Sequence, residues 1–199
     1  MQLGERFDRA LAFASALHRG QVRKSGGVPY VSHLLAVAAI AIEHGASEDE
    51  AIGALLHDAI EDRSAVFGGA TKLRAAIREQ YGDAVLAIVE GCTDADTEPK
   101  PPWRARKEAF VARMATAPRP VLFVCCADKL HNARSIASEL RASGERTWDT
   151  FNGGKQGTLW YYRSLWDVFD RRLGGRIAGD YGRAIAEMQA LAQVAGRGG

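Results

Sequence analysis

His57-Asp58-Ala59-Ile60-Glu61-Asp62 places four ionisable side chains within six residues of an otherwise apolar helical pattern. They form two pairs, His57/Glu61 and Asp58/Asp62, and the partners of each pair are one helical turn apart. At about 100° per residue, the four side chains fall within an arc of roughly 140°. The segment therefore predicts an amphipathic helix, and its opposite arc is filled by the apolar residues Ile52, Leu55, Leu56, Ala59 and Ile60.

The residues one turn before this charged face are small. An ordinary solvated face would carry Lys, Glu or Arg there, whereas this one carries Ala51 and Ala54. Small residues allow another helix to approach closely, so we expect the carboxylates to face protein. Carboxylates shut away from bulk water need a compensating charge, and a metal ion commonly supplies it.

The composition is that of an ordinary globular protein. The 199 residues are 47% apolar and 25% charged, which favours one large domain over two small ones. The net charge is only +2, and the positive and negative residues are interspersed, so no basic patch indicates nucleic-acid binding. No apolar run approaches the roughly 20 residues of a membrane helix, and the N-terminus lacks the order of a secretory signal. We expect a reduced, cytoplasmic protein, because Cys92, Cys125 and Cys126 show neither metal-type nor disulfide-type spacing.

Helical periodicity continues along the chain and predicts an all-α fold. We expect one domain over residues 1–195 and a flexible tail over 196–199. Ser47-Glu48-Asp49-Glu50 has the form of a capping box and opens the helix that carries the charged stretch. The other helices are expected at about residues 5–18, 32–43, 70–81, 83–93, 103–115, 118–140, 155–173 and 178–194.

One apolar run is ambiguous by itself. Residues 121–127, Val-Leu-Phe-Val-Cys-Cys-Ala, could form a buried strand. We predict a central helix instead, because apolar positions from Leu130 to Leu140 continue at helical spacing. The run then delivers Asp128 to the core side of its helix.

A pattern H…HD…D emerges from these elements. Divalent-metal sites for hydrolysis need imidazole nitrogen and carboxylate oxygen donors, with one position left for water or substrate. Taken singly, His33 could be an ordinary helix-terminal histidine and Asp58 a surface acid. Taken together, the set predicts a metal site whose members come from three helices: His33, His57, Asp58 and Asp128.

Three segments carry a resemblance to a known family: 18–33 (HRGQVRKSGGVPYVSH), 57–62 (HDAIED) and 127–134 (ADKLHNAR). The chain resembles the HD-domain phosphohydrolase superfamily, and within it the hydrolase domain of RelA/SpoT-type enzymes, especially the stand-alone small alarmone hydrolases. The resemblance implies a single HD-domain helical bundle with a central Mn²⁺ ion, or another divalent cation. It also implies hydrolysis of the 3′-pyrophosphate of guanosine tetra- or pentaphosphate, (p)ppGpp, to GDP or GTP and pyrophosphate.

The resemblance assigns roles to individual residues. His33, His57, Asp58 and Asp128 match the metal ligands, and Glu61 and Asp62 match the acidic pair at the attacking water. Glu61 lies one turn from His57, so its carboxylate can reach a water on the metal without being a ligand itself. A carboxylate in that place can take the proton and orient the nucleophile.

Substrate contacts are assigned in the same way to Arg23, Lys24, Asn132 and Tyr161. Arginine suits stacking on a purine face, and lysine is a mobile point charge. Each assignment has a plainer alternative: a solvated loop pair, a helix-surface amide and a core tyrosine. A basic helix could bind phosphates or could simply be exposed, and its candidates are Arg104, Arg106 and Lys107.

One departure from the family pattern is Arg63, where threonine is common after the acidic pair. It could alter the acceptor side of the pocket or cap a helix. Nothing after Asp128 resembles a synthetase or regulatory domain, so the expected activity is degradation only. General alarmone turnover and an antidote role against a toxic partner synthetase both stay open, as does a homo-oligomer.

Two other functions also stay open. One is a different HD phosphohydrolase, such as a ppApp hydrolase or a nucleoside 5′-monophosphatase. The other is a metal-stapled binding module without catalysis, against which the intact acidic pair argues. The partner expected for the enzyme is a small nucleotide, not nucleic acid or a membrane.

Overall fold

The computed structural model describes residues 2–23, 27–95 and 99–195. Over these residues the secondary structure consists of ten α-helices and one 3-10 helix, with an isolated antiparallel bridge between Val22 and Pro29. The predicted all-α class is confirmed. The predicted tail, 196–199, lies outside the described residues. Among the described helices, none combines the length and the apolar character that crossing a bilayer requires.

The chain divides into two compact units, and the first comprises Met1–Lys100 and Pro118–Ala127. Its helices follow the predicted order to within a few residues, apart from one break. They are α1 (Glu5–Leu17), α2 (Val31–Glu43), α3 (Glu48–Leu56), α4 (Ala59–Phe67), α5 (Ala70–Tyr81), α6 (Asp83–Cys92) and the first turns of α8 (Arg119–Ser143).

Helix α3 forms the centre of the first unit. It packs against α1, α2 and α6, and residues 50–56 are all buried. The predicted capping box is present: Ser47 Oγ accepts from the Glu50 amide at 3.2 Å, and Glu50 Oε2 accepts from the Ser47 amide at 2.7 Å. The closest approach is at Gly53, where a Cβ atom would lie 2.6 Å from Ile88 Cγ2 of α6.

The charged stretch does not lie on one continuous helix, so that prediction is wrong. Helix α3 ends at Leu56 and α4 begins at Ala59. His57 keeps a helical backbone, but Asp58 has φ −98° and ψ 0° and serves as the N-cap of α4. Consequently His57 and Asp58 form the junction between two helices, while Glu61 and Asp62 lie in the first turn of the second.

The second unit comprises Pro101–Ala117 and Asp128–Gly199. It contains α7 (Trp103–Met114), the remainder of α8, a 3-10 helix (Gly144–Thr150) that the periodicity did not predict, α9 (Gly154–Arg172) and α10 (Gly175–Ala195). Helix α9 packs against α7, α10 and the 3-10 helix. Helix α8 runs without interruption through residues 121–127, so the helical prediction for that run is confirmed and the strand alternative is excluded.

Candidate metal centre and acidic pair

Three predicted ligands come together in the first unit. His33, His57 and Asp58 each offer a ligand atom, and these atoms all lie within 4.8 Å of one another. Asp58 Oδ2 is the common point, 2.9 Å from His57 Nε2 and 3.5 Å from His33 Nε2. Both imidazoles are buried, whereas Asp58 is partly open. The group thus has a closed side and an open side.

The hydrogen bonds of His57 define which nitrogen faces this group. Its Nδ1 lies 2.8 Å from the carbonyl oxygen of Ala54, which can only accept. Nδ1 must therefore carry a proton, and Nε2 is the nitrogen that faces the Asp58 carboxylate. At 2.9 Å, a proton or a cation between Nε2 and the carboxylate oxygen makes this approach favourable. Two nitrogens and one carboxylate oxygen form a donor set that suits a divalent transition metal.

Asp58, the partly exposed member of the three candidate ligands, is oriented by a tyrosine. Tyr30 Oη donates to Asp58 Oδ2 at 2.5 Å, and its ring meets the His33 ring edge-on with centroids 5.5 Å apart. Tyr30 immediately precedes α2, whose first turn carries His33. One short segment of chain therefore supplies a candidate ligand and the group that orients another.

Glu61 is held by the segment that follows α6. Its Oε2 accepts from the Asp94 amide at 3.0 Å, and its Oε1 pairs with Lys100 Nζ at 3.0 Å. Each carboxylate oxygen thus has a donor. These two contacts hold the Glu61 carboxylate, and its predicted place beside the metal ligands stays a prediction.

Asp62, the other acidic residue, is exposed, contrary to the expectation that the carboxylates face protein. Its Oδ2 accepts from Gln21 Nε2 at 2.8 Å. Although part of the residue is open to solvent, the carboxyl is partly desolvated, and this desolvation together with the nearby charge of Asp58 raises the pKa of the Asp62 carboxyl; the Glu61 charge adds to this effect. The two acids therefore have different surroundings, because the Lys100 ammonium group lies beside Glu61 and the neutral Gln21 amide lies beside Asp62.

Asp128 begins the second unit, within α8. Its carboxylate is buried and contacts two side chains of its own helix. Asn132 Nδ2 donates to Oδ1 at 2.5 Å, and Lys129 Nζ pairs with Oδ2 at 2.7 Å. The charge of Asp128 contributes to a pKa of Lys129 well above its usual range, against the opposing effect of burial. The roles of Asp128 as a fourth ligand and of Asn132 as a substrate contact stay predictions.

The other predicted substrate residues have different settings. Arg23 is half-buried, and its amide donates to the Val28 carbonyl at 2.9 Å. Lys24 lies outside the described residues. Tyr161 is buried in the second unit, with its ring near those of Trp103 and Phe110 and 4.9 Å from Lys107 Nζ. Its predicted contact with a nucleotide stays a prediction.

Sequence reasoning missed Tyr30, Gln21 and Lys100 as parts of the site. Tyr30 and Gln21 lie in the segment 18–33 that carries the family resemblance, but the resemblance gives them no role. Their contacts join residues 28, 41 and 39 positions apart. Periodicity reports only neighbours on one element, so no signal in it could have found these contacts.

The chain belongs to the HD domain family, whose model matches residues 10–157. It is 37% identical over 143 residues to a GTP pyrophosphokinase of Streptomyces coelicolor, covering 70% of this chain and 16% of that protein. It is 33% identical over 141 residues to the bifunctional (p)ppGpp synthase/hydrolase SpoT of Escherichia coli, covering 67% of this chain and 18% of the relative. The chain thus spans less than a fifth of these relatives.

Solved structures resemble the chain over nearly their whole length. The protein lmo0812 of Listeria monocytogenes has a TM-score of 0.67 and 26% identity, covering 81% of this chain and 99% of that one. A metazoan ortholog of SpoT, described as hydrolysing ppGpp, has a TM-score of 0.58 and 23% identity, with coverage of 88% and 99%. At that identity the second likeness concerns the fold alone.

Proposed function

We propose that this protein is a Mn²⁺-dependent (p)ppGpp 3′-pyrophosphohydrolase, which converts guanosine tetra- or pentaphosphate to GDP or GTP and pyrophosphate. The observation that carries the proposal is the group His33, His57 and Asp58 with two further carboxylates in the first turn of the adjoining helix. A relative in Haemophilus influenzae, 33% identical over 127 residues, is named guanosine-3′,5′-bis(diphosphate) 3′-pyrophosphohydrolase.

The proposed chemistry divides the work between ligands and acids. A divalent cation in this donor set would lower the pKa of a bound water toward neutrality. Glu61 orients the nucleophile, because donors on both of its oxygens hold it in place. Asp62 takes the proton, since its contacts with described residues engage only Oδ2. Arg23 and Lys24 are proposed to hold the purine end of the substrate.

Product analysis tests the proposal directly. The purified protein is incubated with ppGpp, pppGpp and ppApp, with Mn²⁺ and again after chelation, and the products are separated by anion exchange. We expect GDP or GTP with pyrophosphate, and no turnover after chelation. The double variant Glu61→Gln/Asp62→Asn should bind Mn²⁺ and turn over nothing. Full activity in that variant would contradict the assignment of the acidic pair.

The same panel separates the alternatives. Turnover of ppApp alone would indicate an adenine alarmone hydrolase, because stacking by arginine does not by itself select guanine. Release of orthophosphate from a nucleoside 5′-monophosphate would indicate a nucleotidase. Mn²⁺ binding without turnover of any nucleotide would favour a metal-stapled binding module. Co-expression with a candidate toxic synthetase, and sizing by light scattering, test the two predicted kinds of partner.

A further inference from the structure

We infer that His18 is a positioning residue for the reaction proposed above, on which this inference rests. It acts through two side chains of the loop that follows it. One of them, Tyr30, donates to the candidate ligand Asp58, and the other, Gln21, donates to Asp62. A single buried imidazole would thereby fix the positions of two side chains, Asp58 of the candidate metal centre and Asp62 of the acidic pair.

The placement of His18 is tightly determined. It is the first residue after α1, and its amide donates to the Ala14 carbonyl at 3.0 Å. It is buried, with only 2% of the residue exposed. Burial lowers the pKa of the imidazole from its ordinary value, which favours the neutral ring. A neutral ring carries one N–H, so its single donor must have a defined direction.

The contact with Gln21 defines that direction. Gln21 Nε2 donates to Asp62 Oδ2 at 2.8 Å, because a carboxylate accepts and an amide nitrogen does not. The other end of the amide, Oε1, lies 2.7 Å from His18 Nδ1 and can only accept. His18 Nδ1 therefore donates. The result is a directed chain from the imidazole through the amide to the carboxylate, and it fixes the orientation of Asp62.

The second arm runs through a stacked pair of rings. The His18 and Tyr30 rings are 10° from parallel, with centroids 5.4 Å apart. The Tyr30 ring also contacts the His33 ring, at an interplanar angle of 75° and with centroids 5.5 Å apart. Tyr30 thus contacts two imidazole rings, and its hydroxyl donates to Asp58 Oδ2 at 2.5 Å. Loss of the stacked ring would release the donor that orients this ligand.

Packing alone does not explain a histidine at this position. Nε2 of His18 is buried and has no hydrogen-bond partner among the described residues. Burying such an atom is unfavourable, and phenylalanine would fill the space and stack on Tyr30 without it. What histidine supplies and phenylalanine lacks is the Nδ1–H bond to Gln21. That bond serves Asp62, which points to a role in the site.

Two variants separate the arms. His18→Phe keeps a ring for Tyr30 and removes the donor to Gln21. We expect kcat to fall by about tenfold or more, which is the usual loss when a residue that orients a metal-site side chain is replaced. KM and Mn²⁺ affinity should stay close to wild type. His18→Asn keeps an N–H near the position of Nδ1 and removes the ring. We expect weaker Mn²⁺ binding by a similar factor, with kcat largely restored at saturating Mn²⁺.

His44→Phe is the matched control. His44 is also the residue that ends an α-helix, with φ −98° and ψ 12° against −93° and 14° at His18. Its Nδ1 donates within its own helix, to the Ile40 carbonyl. We expect wild-type kcat and Mn²⁺ affinity. Thermal melts identify any variant that fails to fold; Gln21→Leu and Tyr30→Phe then test the two arms separately.

Isothermal titration with Mn²⁺ and turnover are measured in parallel. If no nucleotide is turned over by wild type, the proposed function fails, while Mn²⁺ titrations of His18→Asn and Tyr30→Phe still decide the ring arm. Wild-type kcat in His18→Phe together with wild-type Mn²⁺ affinity in His18→Asn would overturn the inference. Additive losses of kcat in the double variant His18→Phe/Gln21→Leu would also overturn it, because the effects of two residues that act through the same hydrogen bond should not be additive.

Discussion

Arg63 donates its Nε–H to the main-chain carbonyl of Leu17 across 2.8 Å. The residue after the acidic pair thereby ties α4 to the last turn of α1, one residue before His18. A carbonyl at the end of a helix lacks an intrahelical donor, and a guanidinium satisfies it well. The arginine that departs from the family pattern thus has a capping role, although the helix it caps is α1 and not its own.

Replacing Arg63 should therefore affect stability and not chemistry. We expect Arg63→Thr to lower the free energy of unfolding by about 1–2 kcal/mol, because a charge-assisted hydrogen bond is lost. Chemical denaturation measures the change, and Arg9→Thr, on the exposed face of α1, should cost less than about 0.5 kcal/mol. A change in base preference or in products would show that Arg63 reaches the substrate pocket after all.

Removing one imidazole of the candidate metal centre should abolish the effect of metal on stability. Because a ligand bound only to the native state stabilises it, Mn²⁺ at about 100 times its Kd should add about 2.7 kcal/mol to wild type. We expect a raised Tm in wild type and no shift in His57→Ala. His44→Ala should respond as wild type does. A retained shift in His57→Ala would exclude that side chain as a ligand.

Asp62 gives a prediction for the pH dependence of stability. Its raised pKa means that the native state binds this proton more tightly than the unfolded chain does. Stability is therefore lost as pH rises from the unfolded value of 3.8 through the raised native value. In metal-free protein at pH 7, Asp62→Asn should raise Tm while it lowers turnover.

The stability gain of Asp62→Asn should shrink as the pH approaches 4, because the wild-type carboxyl then becomes protonated. Asp170→Asn, on the exposed surface of α9, is the control. If the stability gain of Asp62→Asn does not change with pH, the gain does not come from titration of the Asp62 carboxyl. That result would contradict the electrostatic explanation.

Gly53 should tolerate no side chain. An added Cβ would meet Ile88 Cγ2 at 2.6 Å and Ile88 Cβ at 3.1 Å. We expect Gly53→Ala to destabilise the protein by about 1–3 kcal/mol, the usual cost of overpacking. At Gly179, inside α10, the nearest atom is an arginine tip at 3.6 Å. Gly179→Ala should raise stability by about 0.5–1 kcal/mol, since alanine favours the helix.

The sequence predicted the helices well because their signal is local. The apolar spacing of Leu130 to Leu140 resolved the ambiguity at residues 121–127, and Ser47 with Glu50 marked the start of α3. The break between His57 and Asp58 carried no such mark, since neither glycine nor proline stands there. His57 keeps a helical backbone and the departure is confined to Asp58, so the spacing of residue types along the sequence gives no sign of the break.

The candidate site was predicted in part. The residue types and spacing singled out His33, His57 and Asp58, which the structure brings together. The supporting contacts came from distant parts of the chain: Gln21 and Lys100 reach the acidic pair from opposite sides in sequence. Such contacts depend on how helices pack, which no short-range pattern encodes.

The antiparallel bridge between Val22 and Pro29 joins the two ends of the segment that lies between them in sequence. The Tyr30 amide donates to the Gln21 carbonyl at 2.9 Å, and the Arg23 amide donates to the Val28 carbonyl at 2.9 Å. Segments of other lengths and compositions could be inserted between Arg23 and Val28 to measure their effect on nucleotide choice, while the bridge keeps Gln21 and Tyr30, which donate to Asp62 and Asp58, in place.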